Sequence, residues 1–446
     1  MKRAMVILAA LSASTAFADP RPVSLKEALS LAAKQSPDLA VAQAQAKVAE
    51  AGIRKAWTAW QPDLSEVATF DHTSAPQSFN LNQIVQLDGY AYGLGKPNPA
   101  VIPAPIDIVA SNSAYATLQL VQPLFSPQGL FLIPAAEAGA KAAALGAQDA
   151  REQILLATAR TYLAQTATSE MLAAARDAEK TALAREQEAR HRVDAGVGLP
   201  IELSRAQSEV AQSRAQIAAL EGQQQALQAA LVELTGEDVA PVAQVDASFG
   251  TPAQDASEPW QQTYAIQSAE AGVEAARKAL QNDHFAWLPT VAGVAKGNYN
   301  SNAGFSGKNT SYDLIVTATL PLYDRGQRYA NGAEDEAKLA QAEAALTAAR
   351  AKSRANWQGA KANVTAAQAA MVQAQAALDF ADQAKKQVEG AIAGGAATNL
   401  ELSQADTNRF LAASALAQAR ANLATRQVEV AAAEGRLYAT VAPQTN

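Results

Sequence analysis

The stretch Asp313-Leu314-Ile315-Val316-Thr317-Ala318-Thr319-Leu320-Pro321-Leu322-Tyr323 decides how this chain is read. Leu314, Val316, Ala318 and Leu320 fall on one face of an extended strand, opposite Asp313, Thr317 and Thr319, with Ile315 out of pattern. The run stops at a proline, which removes an amide donor and pushes the preceding residue toward extended geometry. The same text occurs earlier, with the corresponding proline 198 positions before. There Ala114, Ala116, Leu118 and Leu120 oppose Tyr115, Thr117 and Gln119, and lead into Gln122-Pro123-Leu124-Phe125. Strands of about ten residues with one apolar face suit a tilted barrel wall in lipid. A soluble hairpin packed on helices is the alternative.

Working outward, each strand pair sits inside the same order of parts. A helix-like segment ends at Trp60-Gln61-Pro62 in one half and at Trp287-Leu288-Pro289 in the other. After the second proline comes a long Ala/Gln/Glu/Lys/Arg-rich helical stretch, a glycine-bearing break and another helix. Around the breaks, Ile201-Glu202-Leu203-Ser204 matches Leu400-Glu401-Leu402-Ser403, 199 positions apart. Landmarks repeated in order mean a duplicated chain. Pro62, Pro123, Pro289 and Pro321 are therefore taken as the junctions between strands and helices.

Alanine accounts for 109 of the 446 residues, and it forms helices readily while burying little area. The helical stretches after Gln128 and Gly326 each run for more than sixty residues. Sixty helical residues extend about 90 Å, roughly three times a bilayer core. With so many charged and amide side chains these rods belong in water, pointing away from whatever the strands occupy. No run of eighteen uninterrupted apolar residues follows the N-terminus, so no membrane-crossing helix is expected. If the chain sits in a membrane, it does so as a closed barrel.

The first eighteen residues read as a secretory signal: Lys2 and Arg3, an apolar run, then Ala16-Phe17-Ala18. Its removal takes the net charge from −7 to −9, so nucleic acid is an unsuitable partner. Without cysteine there are no disulfides, thiolate metal sites or lipid-modified N-terminus. His72, His191 and His284 lie far apart, so no catalytic, metal or cofactor residues are assigned and no enzyme activity is expected. The expected organisation is a signal at 1–18, a first repeat at 19–235 with strands near 64–73 and 113–122, and a linker at 236–262. A second repeat follows at 263–438 with strands near 290–299 and 311–320, then a tail at 439–446. The linker is expected to pack around the middle of the rods, and the Pro-rich stretch Ala91–Ile106 to face outside or plug the outer mouth. Four strands cannot close a barrel, so copies must join, with eight, twelve or sixteen strands all open by counting.

These landmarks resemble the TolC-like outer-membrane efflux protein family across essentially the whole mature chain. Leu25-Lys26-Glu27-Ala28-Leu29, Ser36-Pro37-Asp38-Leu39, the paired Trp-x-Pro and Pro-Leu-aromatic runs, and Leu234-Thr235-Gly236 carry the resemblance. It implies a mainly α fold with a small β part: a homotrimer whose twelve strands form an outer-membrane β-barrel above a twelve-helix periplasmic α-barrel. It implies a passive exit duct of a tripartite efflux pump or type I secretion system. The implied partners are outer-membrane lipid, a periplasmic adaptor (membrane fusion) protein and an inner-membrane transporter. A periplasmic adaptor or structural coiled-coil protein is the competing reading. In the family the periplasmic turns close the channel and meet the adaptor, which points here to Arg192, Gly196, Gly198, Gly394 and Gly395. Some members ring the aperture with two carboxylates three residues apart; the matching positions are Glu401 and Gln404, with Glu202 at the equivalent place in the first half. Glu401 also reads as a first-turn glutamate behind Thr398 or Asn399 as helix cap.

Overall fold

The computed structural model describes residues 20–79, 106–242, 258–285, 287–302 and 307–441. The Pro-rich stretch therefore lies outside the described residues, save Ile106. In chain order the elements are β1 (Arg21–Val23), α1 (Leu25–Gln35), α2 (Pro37–Trp57), β2 (Asp63–His72), β3 (Gln77–Phe79) and β4 (Ile106–Val109). Next come β5 (Asn112–Phe125), α3 (Pro127–Asp194), α4 (Pro200–Thr235), β6 (Val239–Pro241) and α5 (Tyr264–Phe285). The chain continues through β7 (Thr290–Asn300), β8 (Thr310–Thr319), α6 (Gln327–Ala393), α7 (Asn399–Ala433) and α8 (Leu437–Val441). The fold is mainly helical with a small β part. It divides into two compact units, one of residues up to Ala46 with Ala143–Ser268 and Leu346 onward, the other of Lys47–Ala142 and Ala269–Ala345.

The second unit is built on an antiparallel sheet in the order β2-β5-β7-β8. Register fixes its faces, because side chains alternate along a strand. Leu64 opposes Leu120, Leu120 opposes Ala295 and Ala295 opposes Leu314, so these apolar positions of all four strands share one face, while Val67, Val121, Val294 and Ile315 fall on the other. Glu66 is the carboxylate on the apolar face among the described strand residues. Thr117, Asn298 and Asp313 lie on the other, where Thr117 Oγ1 donates to Asn298 Oδ1 at 3.1 Å and Asn298 Nδ2 donates to Asp313 at 2.9 Å. Leu314 and Val316 are 77% and 72% exposed in the single chain, so among the described residues nothing covers them on the apolar face.

Pro123 corrects one expectation. It lies inside β5, paired opposite Ala292, and the strand runs on to Phe125. A proline survives there because β2 ends opposite Val121, leaving Pro123 bonded to one neighbour only, and the register shifts between Pro123 and Phe125. The junction to α3 is Ser126-Pro127 instead. Pro62 and Pro289 immediately precede β2 and β7, and Pro321 follows β8 by two residues. Beyond it Arg328 stacks over Trp287 at 3.9 Å, and Trp287 meets Tyr329 edge-on at 5.1 Å.

In the first unit, β1 pairs in parallel with β6, and a cluster of Val23, Leu25, Leu29, Leu155, Tyr162, Leu231, Val428 and Leu437 packs α1 and α8 with the middle of α3 and the C-terminal ends of α4 and α7. Each such leucine contributes about 2 kcal/mol by burial. Tyr162 Oη donates to Val23 O at 2.9 Å and accepts from Val242 N at 3.1 Å, tying the N-terminal strand and the start of the linker to α3. Buried Glu152 accepts from the backbone N–H of Leu437 and Tyr438 at 3.1 and 3.0 Å, capping α8; burial pushes its carboxyl above the usual range.

One helix, Gly129–Asp194, is long and apolar enough by composition to cross a membrane, its best 18-residue window having a mean hydropathy of 1.3. A window average credits alanine and tolerates a few charges, whereas the sequence argument asked for an uninterrupted run.

Candidate functional site

The turns between α3 and α4 and between α6 and α7 lie in the first unit and follow one backbone path. Gly196 N donates to Val193 O at 2.9 Å, and Gly395 N donates to Ile392 O at 2.9 Å. Both glycines have φ of 73°, the left-handed region where a side chain is strained. Arg192 O accepts from Val197 and Gly198, at 3.0 and 2.8 Å. A Cβ on Gly198 would stand 2.8 Å from Val193 N, so glycine is required there for close approach. Gly394 has no such contact; its nearest neighbour, Ala391 O, is at 3.7 Å. The tips present Val197, Leu199, Ile201 and Leu400, all more than half exposed.

Glu401 sits at the third position of α7 in a capping box. Thr398 N donates to Glu401 Oε2 at 2.6 Å, and Glu401 N donates to Thr398 Oγ1 at 3.4 Å. The Thr398 backbone N–H, and then its hydroxyl, hold the Glu401 carboxyl below the usual range, so it is ionised at neutral pH. Gln404 Nε2 donates to Asn408 Oδ1 at 3.3 Å, along the helix. Glu202 occupies the matching place on α4, where Leu199 offers no side-chain cap and Pro200 begins the helix. Glu202, Arg192, Arg205 and Leu400 line a cleft of about 300 Å³ between the two turns. A wider open groove of about 680 Å³ beside Glu152 is lined in part by the ion pairs Arg160–Glu429 and Arg426–Glu429.

Above the turns, two clasps of opposite polarity join the helices. Asp406 of α7, its side chain 10% exposed, receives Arg185 of α3 and Lys385 of α6, the latter at 2.8 Å; Arg185 also meets Glu209 of α4 at 2.9 Å. One turn farther along α7, Arg409 reaches Asp177 of α3 at 3.0 Å and Asp382 of α6 at 2.7 Å. The sequence reading missed both clasps. Their members are up to 232 residues apart, so no local spacing marks them. Among the described residues no cluster of His, Cys, Asp or Glu could hold a metal ion.

An antiparallel sheet with one apolar and one polar face, together with duplicated helical hairpins, makes up the fold of an outer-membrane channel. A family model described as outer membrane efflux protein matches residues 28–237 and 257–436, most of the chain. The chain belongs to this family of efflux channels, and its place is the outer membrane. The CmeC outer membrane channel of Campylobacter jejuni superposes with a TM-score of 0.76 at 17% identity, over 93% of this chain and 86% of that one. The outer membrane protein VceC of Vibrio cholerae gives 0.71 at 18% identity, over 92% and 96%. The open state of the Neisseria gonorrhoeae MtrE outer membrane channel gives 0.72 at 17% identity, over 94% and 89%. At these identities the likeness is one of fold. No curated protein matches.

Proposed function

We propose that three copies of this chain form a passive exit duct, the outer-membrane component of a tripartite efflux pump or type I secretion system. The observation that carries this reading is the sheet: an uncovered apolar face, a polar face of Thr117, Asn298 and Asp313, and an open edge on each side. Exposed Trp57, Trp287, Tyr323 and Tyr329 near the strand ends suit a membrane–water interface. Three copies bring twelve strands, enough for a lumen.

The helical hairpins then stand in the periplasm with their turns as the gate. The apolar tips at Val197, Leu199 and Leu400 suit docking of a periplasmic adaptor, with an inner-membrane transporter supplying the energy. Glu401, ionised within its capping box, supplies acid at the aperture, one carboxylate per copy because the next matching position is Gln404. The Asp406 and Arg409 clasps hold the hairpins together in the closed state.

Planar-bilayer recording of the purified oligomer tests the reading. Cation selectivity is expected, and Glu401→Lys should shift it toward anions while native mass still gives a trimer. Unchanged selectivity in a folded Glu401→Lys trimer would remove Glu401 from the aperture and leave it as a helix cap alone. A monomer that stays soluble without detergent would overturn the channel itself.

A further inference from the structure

The loop that carries the chain from β8 into α6 is held by one arginine and exposes another. Arg328 Nη2 donates to Pro321 O at 2.7 Å, and Arg328 Nε donates to Asp324 Oδ2 at 2.9 Å. The backbone N–H of Arg328 donates to the same carboxylate oxygen at 3.1 Å. Asp324, the acid of this loop, is thus engaged by Arg328 and not by Arg325. Arg325 is exposed, and among the described residues no hydrogen bond or ion pair holds its side chain.

Its backbone makes that isolation unusual. Arg325 has φ of 63°, and Gly326 follows at 82°. Every other residue of positive φ among the described ones is a glycine. A side chain in the left-handed region is strained where glycine is not, and such strain gathers where a group has a function. Glycine at position 325 would make the same turn at no such cost. The turn alone does not explain an arginine there.

The surroundings indicate what the guanidinium serves. Exposed Leu314 and Val316 of β8 are followed, past the end of the strand, by exposed Leu320, Leu322 and Tyr323, the last two 87% and 83% exposed. Tyr329, also exposed, comes four residues after Arg325. The apolar series therefore runs off the lipid-facing strand positions and ends at a tyrosine and an unpaired cation. Tyrosine and arginine in that order mark the level where acyl chains give way to headgroups.

Resting on the channel reading above, we propose that Arg325 binds the phosphate of an anionic phospholipid in the leaflet on the helical side of the membrane, with Leu322 and Tyr323 against its acyl chains. A guanidinium presents a planar fork of donors that matches two phosphate oxygens, and both partners are charged. An anionic headgroup leaves that phosphate uncompensated, whereas a choline headgroup brings its own cation beside it. An acid on a neighbouring copy could also meet Arg325, but it would not account for the apolar run that leads there.

Lipid binding by the purified, delipidated full-length channel tests this. Phosphatidylglycerol or phosphatidylcholine is titrated into the protein in detergent, and bound lipid is counted by native mass. The unsubstituted channel should hold phosphatidylglycerol about fivefold more strongly, the factor that one arginine contributes near an anionic surface. Arg325→Gly should remove that preference, while its melting temperature without lipid stays the same or rises because glycine relieves the turn. Arg325→Lys, which keeps the charge and loses the fork, should retain part of the preference. A preference that survives Arg325→Gly would overturn the site. A lower melting temperature or a lost oligomer in lipid-free Arg325→Gly would overturn it in favour of a contact between copies. Inorganic phosphate displacing phosphatidylglycerol at equal concentration would overturn the lipid as its ligand. A chain that stays monomeric and soluble without detergent would overturn the channel reading instead.

Discussion

Leu199 precedes α4 and Thr398 precedes α7, at matching positions of the two hairpin turns, and the helix starts differ accordingly. Leu199 offers no side-chain cap, and Pro200 begins the helix with no amide to satisfy. Thr398 and Glu401 exchange hydrogen bonds in a capping box. The turns themselves keep the same glycine at φ of 73°. At the next difference, Gly198 packs against the backbone of Arg192 and Val193, while its counterpart is Ala397. Duplication has preserved the backbone path and let the means of holding it diverge. The first turn is held by steric fit, the second by hydrogen bonds to a charged group.

Gly198→Ala should have the largest effect, because the added methyl meets backbone that cannot swing away. A destabilisation of about 1–3 kcal/mol is expected, confined to the first turn and read as faster amide exchange at Arg192–Leu199. The exchange Ala397→Gly in the second turn should cost less than 1 kcal/mol, roughly the backbone-entropy difference. Equal effects would mean that the turns are held alike.

Thr398→Ala comes next. Loss of the cap should cost about 1 kcal/mol and speed exchange in the first turn of α7 only. Leu199→Ala removes no cap and should leave the exchange of α4 unchanged.

The smallest effect is a pH dependence of the second turn. Hydrogen bonds from Thr398 hold the Glu401 carboxyl low, so its contribution is complete above the ordinary glutamate range and fades as pH falls through the lowered value. Acidification from about pH 7 to about pH 3 should loosen the Thr398 amide, followed by amide exchange or nitrogen chemical shift. Glu401→Gln should abolish that response, whereas Thr398→Ala, which keeps the backbone N–H, should only weaken it. A response that survives Glu401→Gln would assign the titration elsewhere.

How much of this was legible beforehand depends on the range of each interaction. Alternation of Leu314, Val316, Ala318 and Leu320 against polar neighbours is a local signal, and so is the long alanine-rich text that became α3 and α6. The positions of Gly196, Gly395 and Glu401 in their turns could be read the same way, because positive φ and helix capping are decided within a few residues. Pro123 was misplaced because its tolerance depends on where β2 stops, a fact of pairing rather than of sequence.

By itself, the sequence determined the class of fold and the family, since both rest on periodicity and on a duplicated order of landmarks. Only the tertiary structure decided the common face of four strands, the Glu152 cap on α8 and the clasps at Asp406 and Arg409. Each of these joins residues that are distant along the chain. Their energy depends on distances of about 3 Å that no local pattern encodes, so they appear only once the helices and strands have been packed.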